Sequence, residues 1–495
     1  MDRTRQALTV KPVELLFEEM AGAHRLKRVL GPITLTALGI GCIIGAGIFV
    51  LTGLAANQYA GPGLVLSFVV AGIGCALAAL CYAEFAAMVP VAGSAYTYAY
   101  ATLGEVFAWI IGWDLVLEYA VAASTVAHCW SHYLGTFLGL FGKHLPQRWT
   151  GAPFDFDPAT GQWGATGAIL DLPALLVVLA LTCILVVGIR ESARFNAAMV
   201  FVKVAVVLFV IVAGVPHVDS SNWHPFLPFG WTGVMSGAAY IFFAYVGFDS
   251  VSTHSEEAKN PQRDIPIGII ASLAICTVLY ILVAGVLTGI QRYDKISLDA
   301  PVAEAFASLG MSTAVFIISI GAIAGLTSVL MVLMLSQTRV LLAMARDGLI
   351  PESFFGDVHP RFQTPHRSTI LVGLLVALVG ATVPLKILAD LVNIGTLFAF
   401  VIVCAAVLVM RRTHPTIARP FRTPLVPFVP VAGVIVNLCM MFALSWENWL
   451  RLVVWLAIGL AIYFGYSQRH SRLALHLEKE LAAGGISPGG RAIDD

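Results

Sequence analysis

The chain has 495 residues, 58% of them hydrophobic and 12% charged, with 29 basic and 29 acidic side chains. A soluble domain carries about twice that share of charge, so a mean hydropathy of +0.85 excludes an ordinary soluble globule and implies a polytopic membrane protein. A formal net charge of zero gives nucleic acid nothing to attract.

Residues 1–28 form a polar, charged segment without the short apolar core of a signal peptide. Twelve apolar spans follow, at roughly 32–57, 62–88, 105–133, 171–189, 195–215, 231–255, 266–289, 313–345, 368–384, 387–410, 427–445 and 448–467. With the N-terminus inside, 21 of the 29 Lys and Arg fall on cytoplasmic segments and six on the other side. Lys203 and Arg339 lie inside spans. The positive-inside rule then places both termini in the cytoplasm of a cell (inner) membrane protein. A tail with paired glycines occupies 468–495. Eight scattered cysteines lack any metal or redox spacing and read as packing residues.

Span one carries Gly39, Gly41, Gly45 and Gly47 within nine residues. Glycine lowers helix propensity by about 1 kcal/mol against alanine, so this helix is weakest near its middle. An unwound turn there offers bare amides and carbonyls, which must be buried or face a wet cavity. Close helix packing through small residues is the competing reading. After span two, residues 89–104 hold Tyr96, Tyr98 and Tyr100 but no Lys or Arg. A short helix at the membrane surface or beside an inner gate fits them, as does an interfacial aromatic anchor.

Span three contains Asp114 and Glu118, four residues apart and so on one helical face. An intramembrane carboxyl is a candidate site group by default. His128 and His132 repeat that spacing, a metal-capable pair. No third ligand is apparent, so interfacial packing is the expectation and no metal is assigned. The longest outer loop, 134–170, contains a Gly/Pro/Asp-rich run at 151–158. Span five holds Lys203 about eight residues in. Burial disfavours a charged ammonium, which makes Lys203 a candidate for reversible protonation; snorkelling toward the interface is the alternative. Span six is interrupted at Gly247, followed by Asp249 and Ser250 as candidate caps. Glu84 and Arg339 read as inner-gate or loop anchors.

Two interrupted helices five spans apart point to an inverted-repeat transporter with its site at the bilayer midplane. The expected architecture is all-α, with repeats over 29–215 and 216–411, two appended spans over 412–467 and the tail beyond.

The run Gly39–Phe49 resembles the first-helix signature of the amino acid–polyamine–organocation superfamily. Tyr82–Tyr96, Gly112–Tyr119, Glu191–Asn196, Phe242–Asp249, Glu256–Pro261 and Met344–Pro351 are similar to its cationic amino acid transporter branch, over about residues 24–467. Vertebrate members of that branch carry two further spans; this chain stops at twelve, like the bacterial members. The resemblance implies the sodium-coupled leucine-transporter-like fold with broken helices one and six. It implies that the amides of Ile43, Ala46 and Gly47 hold a substrate carboxylate, with Ile44 and Gly45 shaping the turn. The carbonyls of Phe243, Ala244 and Val246 would hold the ammonium. In proton-linked members an ammonium replaces the sodium held between helices one, five and eight. Lys203 matches that position, with Ser328 as the expected hydroxyl partner; back-bonding within its own helix is the alternative for Ser328.

The expected pocket walls are Tyr240, Tyr245, Glu118 and, from span eight, Met331 and Val332. Bulky uncharged walls favour small or medium neutral L-amino acids, taken up with a proton by alternating access. Glu118 keeps cationic substrates open, and an obligatory exchanger or a membrane amino acid sensor remains an alternative. A polytopic enzyme would need converging catalytic side chains, and no such motif is present; no catalytic residue and no cofactor are assigned. The implied partners are an L-amino acid, a proton and the lipid bilayer. A small single-helix accessory protein at the periphery is compatible with the sequence.

Overall fold

A computed structural model describes residues 6–7, 9–12, 30–88, 94–157, 162–187, 192–298, 300–360, 362 and 364–476. The N-terminal segment therefore falls largely outside the described residues, as do 477–495 of the tail. Helix dominates because a backbone in lipid must satisfy its own N–H and C=O groups. Among the described residues, eight helices are long and apolar enough to cross a membrane, including Gly47–Met88, Glu105–Gly139, Pro261–Ile290, Ser312–Arg346 and Leu385–Thr413. Four shorter apolar helices, Pro32–Ile43, Leu172–Val187, His366–Thr382 and Phe428–Phe442, lie in spans one, four, nine and eleven. The spans are thus unequal rods. Span one is cut after Ile43, and its second half runs on through the short turn Gly61–Gly63 into span two.

Spans three and eight lie side by side, and span ten packs on span three. Span seven packs on span two and on Pro32–Ile43, and span nine on span four. The interruptions of spans one and six touch. Each of spans one to four therefore contacts the span five places later. Large apolar side chains point outward on spans five, nine and twelve, including Phe201, Val212, Leu374, Leu378, Val453 and Ile458. An exposed apolar surface of this extent suits lipid rather than water.

One expectation is corrected. The all-α reading misses a two-stranded antiparallel hairpin in the long loop, with Phe154–Asp157 paired to Gln162–Ala165. The alternation Phe-Asp-Phe-Asp has the period of a strand. The tyrosine segment does form a short helix, Ser94–Thr102, and Tyr96, Tyr98 and Tyr100 are all buried within the protein. Tyr96 Oη donates to Asp347 Oδ2 at 2.6 Å, and Lys11 Nζ reaches the other oxygen of the same carboxylate at 2.9 Å. Tyr100 Oη donates to Glu105 at 2.9 Å. Residues 89–93, at the start of that segment, lie outside the described residues.

The same basic end carries a second tie. Glu84, at the end of span two, accepts from Arg411 Nε at 3.0 Å and Nη2 at 2.7 Å, and from the Thr423 N–H at 2.7 Å. The paired geometry of guanidinium and carboxylate makes this a strong, oriented contact. Arg339 instead reaches His254 Nε2 at 3.2 Å, joining span eight to the far half of span six.

Candidate functional site

Pro32 starts the first helix at a position where a missing N–H costs nothing. The helix stops at Ile43, because Ile44 turns to an extended conformation (φ −73°, ψ 101°). Helix resumes at Ala46 and widens over Gly47–Leu51. The first N–H groups of this second half have no carbonyl one turn back, so they carry the positive end of the helix dipole.

Span six breaks in a matching way. Gly230–Ile241 is α-helical, Phe242–Tyr245 tightens to a 3-10 turn, and Val246 is extended (ψ 132°). Gly247 has φ +112°, a conformation that side-chain-bearing residues rarely adopt. Beyond it Asp249–Glu257 continues as a 3-10 helix. Ser250 donates its hydroxyl to the Gly247 carbonyl at 2.6 Å, and Asp249 accepts the Tyr119 hydroxyl at 2.8 Å.

The two breaks meet backbone to backbone. A Cβ on Gly47 would stand 2.3 Å from both Cα and Cβ of Ala244, and one on Gly247 would stand 3.0 Å from the Cys42 carbonyl oxygen. Tyr280, on span seven, sits between them with its hydroxyl 2.8 Å from the Ile43 oxygen and 2.8 Å from the Ala244 oxygen. Asn393, on span ten, donates to the Tyr240 carbonyl at 3.0 Å, one turn before the second break.

Lys203 is fully buried, and its Nζ donates to the carbonyls of Gly41 at 2.5 Å and Ile44 at 3.0 Å. The side chain thus ties span five to the broken end of the first helix instead of snorkelling to an interface. Gly325 of span eight packs along the lysine stem. Ser328 donates to Gly325 in its own helix at 3.1 Å, and no hydrogen bond joins it to Lys203 among the described residues. The structure therefore gives Ser328 a back-bond, not the expected lysine contact.

Beside the breaks lies a narrow cleft with room for little more than a water molecule. Its lining includes Ile43, Gly45, Ala46 and Gly47 from the first break, with Phe243 and Val246 from the second. Span three adds Ala122 and Val126, and span eight adds Val329 and Leu333. Met331 and Val332 are not in that lining, because the helical turn aims Val329 and Leu333, four residues apart, at the cavity. Tyr240 and Tyr245 lie outside it too. Tyr240 stacks on Tyr59 at 5.0 Å, and Tyr245 donates to the Phe68 carbonyl at 2.9 Å. Ile44 is buried and gives its carbonyl to Lys203, while Ala244 packs on Gly47.

The sequence model of the amino acid permease family matches residues 30–465. The chain belongs to this family. The permease is 47% identical to a methylthioribose transporter of Bacillus subtilis over 463 residues, 94% of this chain and 98% of that one. It is 48% identical to a branched-chain amino acid permease of the same organism over 464 residues, 94% of this chain and 98% of the relative. A vacuolar cationic amino acid transporter of Arabidopsis thaliana is 40% identical over 400 residues, 80% of the permease and 65% of the relative. These relatives are carriers, which accords with the resemblance to the amino acid–polyamine–organocation superfamily and with a transporter rather than an enzyme.

Glu118 sits one helical turn from Ala122 on the same face of span three, just outside the cavity lining of the permease. Glu118 and Asp114 are buried, and neither carboxyl makes a hydrogen bond among the described residues. Asp114 faces Gly395 of span ten.

Tyr280 was not singled out from the sequence, where a mid-span tyrosine looks like packing. Tyr280→Phe removes one hydroxyl and leaves buried carbonyls on both breaks without that donor. An unsatisfied buried acceptor costs about 1–3 kcal/mol. The permease variant is expected to melt at lower temperature and to transport roughly tenfold more slowly. Thermal melting and uptake measured side by side check this, and an unchanged pair of values would remove Tyr280 from the site.

Proposed function

We propose that the permease takes up small or medium neutral L-amino acids together with a proton, by alternating access. The observation that carries this reading is the meeting of two helix breaks around an apolar cavity, with Lys203 bonded to the carbonyls of the first. An amino acid has one carboxylate and one ammonium on the same carbon. Amides of Ala46 and Gly47, at the start of the second half, suit the first group, with Ile43 beside them at the end of the first half, and carbonyls of Phe243, Ala244 and Val246 suit the second. Such a clasp reads the zwitterion and leaves side-chain choice to the walls.

Those walls are Ala122, Val126, Phe243, Val329 and Leu333, all uncharged. They favour apolar side chains, in keeping with the branched-chain amino acid permease among the relatives. Cationic substrates would use Glu118, which lies one turn from Ala122. The pairing of spans one to four with spans five places later supports the inverted repeat, the twelve spans and the rocking of spans one, two, six and seven against the remainder. Both termini lie in the cytoplasm on this reading. Loss of the Lys203 proton removes the charge from both carbonyl contacts, loosens the first helix from spans five and eight and permits return. An accessory single-helix protein would sit on the outward apolar surface.

A melting screen of the purified chain against the twenty amino acids and methylthioribose tests the substrate reading. Branched-chain and smaller neutral amino acids are expected to raise the melting temperature by mass action. Stabilisation by arginine and lysine alone would overturn the neutral preference. Counterflow with and without internal substrate separates symport from exchange, and binding without counterflow indicates a sensor. Leu333→Ala is expected to enlarge the cavity and shift preference toward longer side chains by roughly tenfold, read from competition uptake; an unaltered ranking would take Leu333 off the selecting wall.

A further inference from the structure

The strongest group of metal-ligating side chains lies well away from the two breaks. His128 and His132 stand on one face of span three, near the end poor in Lys and Arg. Their rings are 4.7 Å apart at 42°. The fold brings Asp171, the residue just before the helix Leu172–Val187, against them. One ligand atom from each of the three residues lies within 4.8 Å of the others.

Asp171 is held there firmly. Its backbone N–H donates to the Ala381 carbonyl at 2.9 Å. Its Oδ1 accepts from the Ser131 hydroxyl at 2.5 Å and from the Ala174 N–H at 3.1 Å, capping the span-four helix. Oδ2 makes no hydrogen bond among the described residues and faces His128 Nδ1 across 3.4 Å. In a tetrahedral zinc site, bonds near 2.0–2.1 Å put neighbouring ligand atoms about 3.3 Å apart. One edge of that tetrahedron is therefore already in place. His132 brings a third ligand atom to within 4.8 Å of these two from a half-buried position. Ser131 already orients the carboxylate through its hydroxyl, as hydrogen-bond donors behind metal ligands do.

We infer that His128, His132 and Asp171 form a binding site for a zinc-class divalent transition metal, joining spans three and four apart from the substrate cavity. Two imidazoles and one carboxylate suit zinc, cobalt or nickel and not calcium or magnesium, which prefer oxygen alone. The fourth position is left to water. A plain His128–Asp171 ion pair is the rival account, and it predicts no metal binding.

The test uses the full-length purified chain without a histidine tag, titrated with cobalt(II) chloride and then competed with zinc chloride. One saturable cobalt per chain with tetrahedral visible absorption, bleached by zinc, is expected. His132→Gln is expected to weaken binding at least tenfold while its metal-free melting temperature stays that of wild type. Asp171→Asn is expected to weaken binding as well, whatever its effect on melting. Absence of saturable absorption in the wild-type chain, or a His132→Gln titration that matches it, would overturn the site.

Discussion

Lys203→Ala is expected to reduce proton-driven uptake on the order of 100-fold. The ammonium makes two charge-assisted hydrogen bonds, to Gly41 and Ile44, inside a fully buried setting. Each such bond contributes about 1.5–3 kcal/mol, and the loss of one, if felt at the transport barrier, is a factor of roughly 10 to 100. Alanine also leaves two carbonyls of the broken helix without that donor, so some loss of stability accompanies the loss of rate. Lys203→Gln separates the two effects. Its amide can still donate to the carbonyls, but it carries no exchangeable charge. This variant is expected to keep amino acid binding and to lose its response to an inside-alkaline gradient. Uptake into proteoliposomes with and without the gradient reads the difference. A gradient response that survives in both variants would dismiss the lysine as the coupling group.

Gly47→Ala is the second substitution with a large expected effect. The new methyl would meet the backbone and Cβ of Ala244 at 2.3 Å, where nothing flexible can give way. The two breaks must then separate, which would dismantle both sides of the proposed clasp together. Overpacking of this kind costs about 1–3 kcal/mol in a well-packed interior. Uptake is expected to fall to background, and amino acids are expected no longer to raise the melting temperature. Gly45→Ala is the milder comparison within the same break, because its methyl would meet Val329 methyls at 3.1 and 3.3 Å, which can shift. Equal transport by Gly47→Ala and wild type would mean that the breaks need no close contact.

Sequence reasoning reached the two interruptions because glycine and an acidic residue in a span leave a local mark. Lys203 was legible for a similar reason, as a charge where lipid tolerates few. The rotation of span eight was not legible. In water an amphipathic helix announces its buried face, but here the lipid-facing and cavity-facing sides are both apolar. Nothing in the order Val329, Leu330, Met331, Val332, Leu333 says which side chains point inward. The partner of His128 and His132 was hidden for another reason. Asp171 opens a different helix, and only the packing of spans three and four brings it near. The burial of the tyrosines on Ser94–Thr102 was not legible either, because an interfacial belt and a packed helix have the same composition.

Tyr280 has a consequence of simple stoichiometry. A phenol carries a single hydrogen, yet two carbonyl oxygens, one from each break, lie at the same 2.8 Å from its oxygen. The two acceptors therefore share one proton, so the junction between the broken helices is held by a single donor that can favour either half.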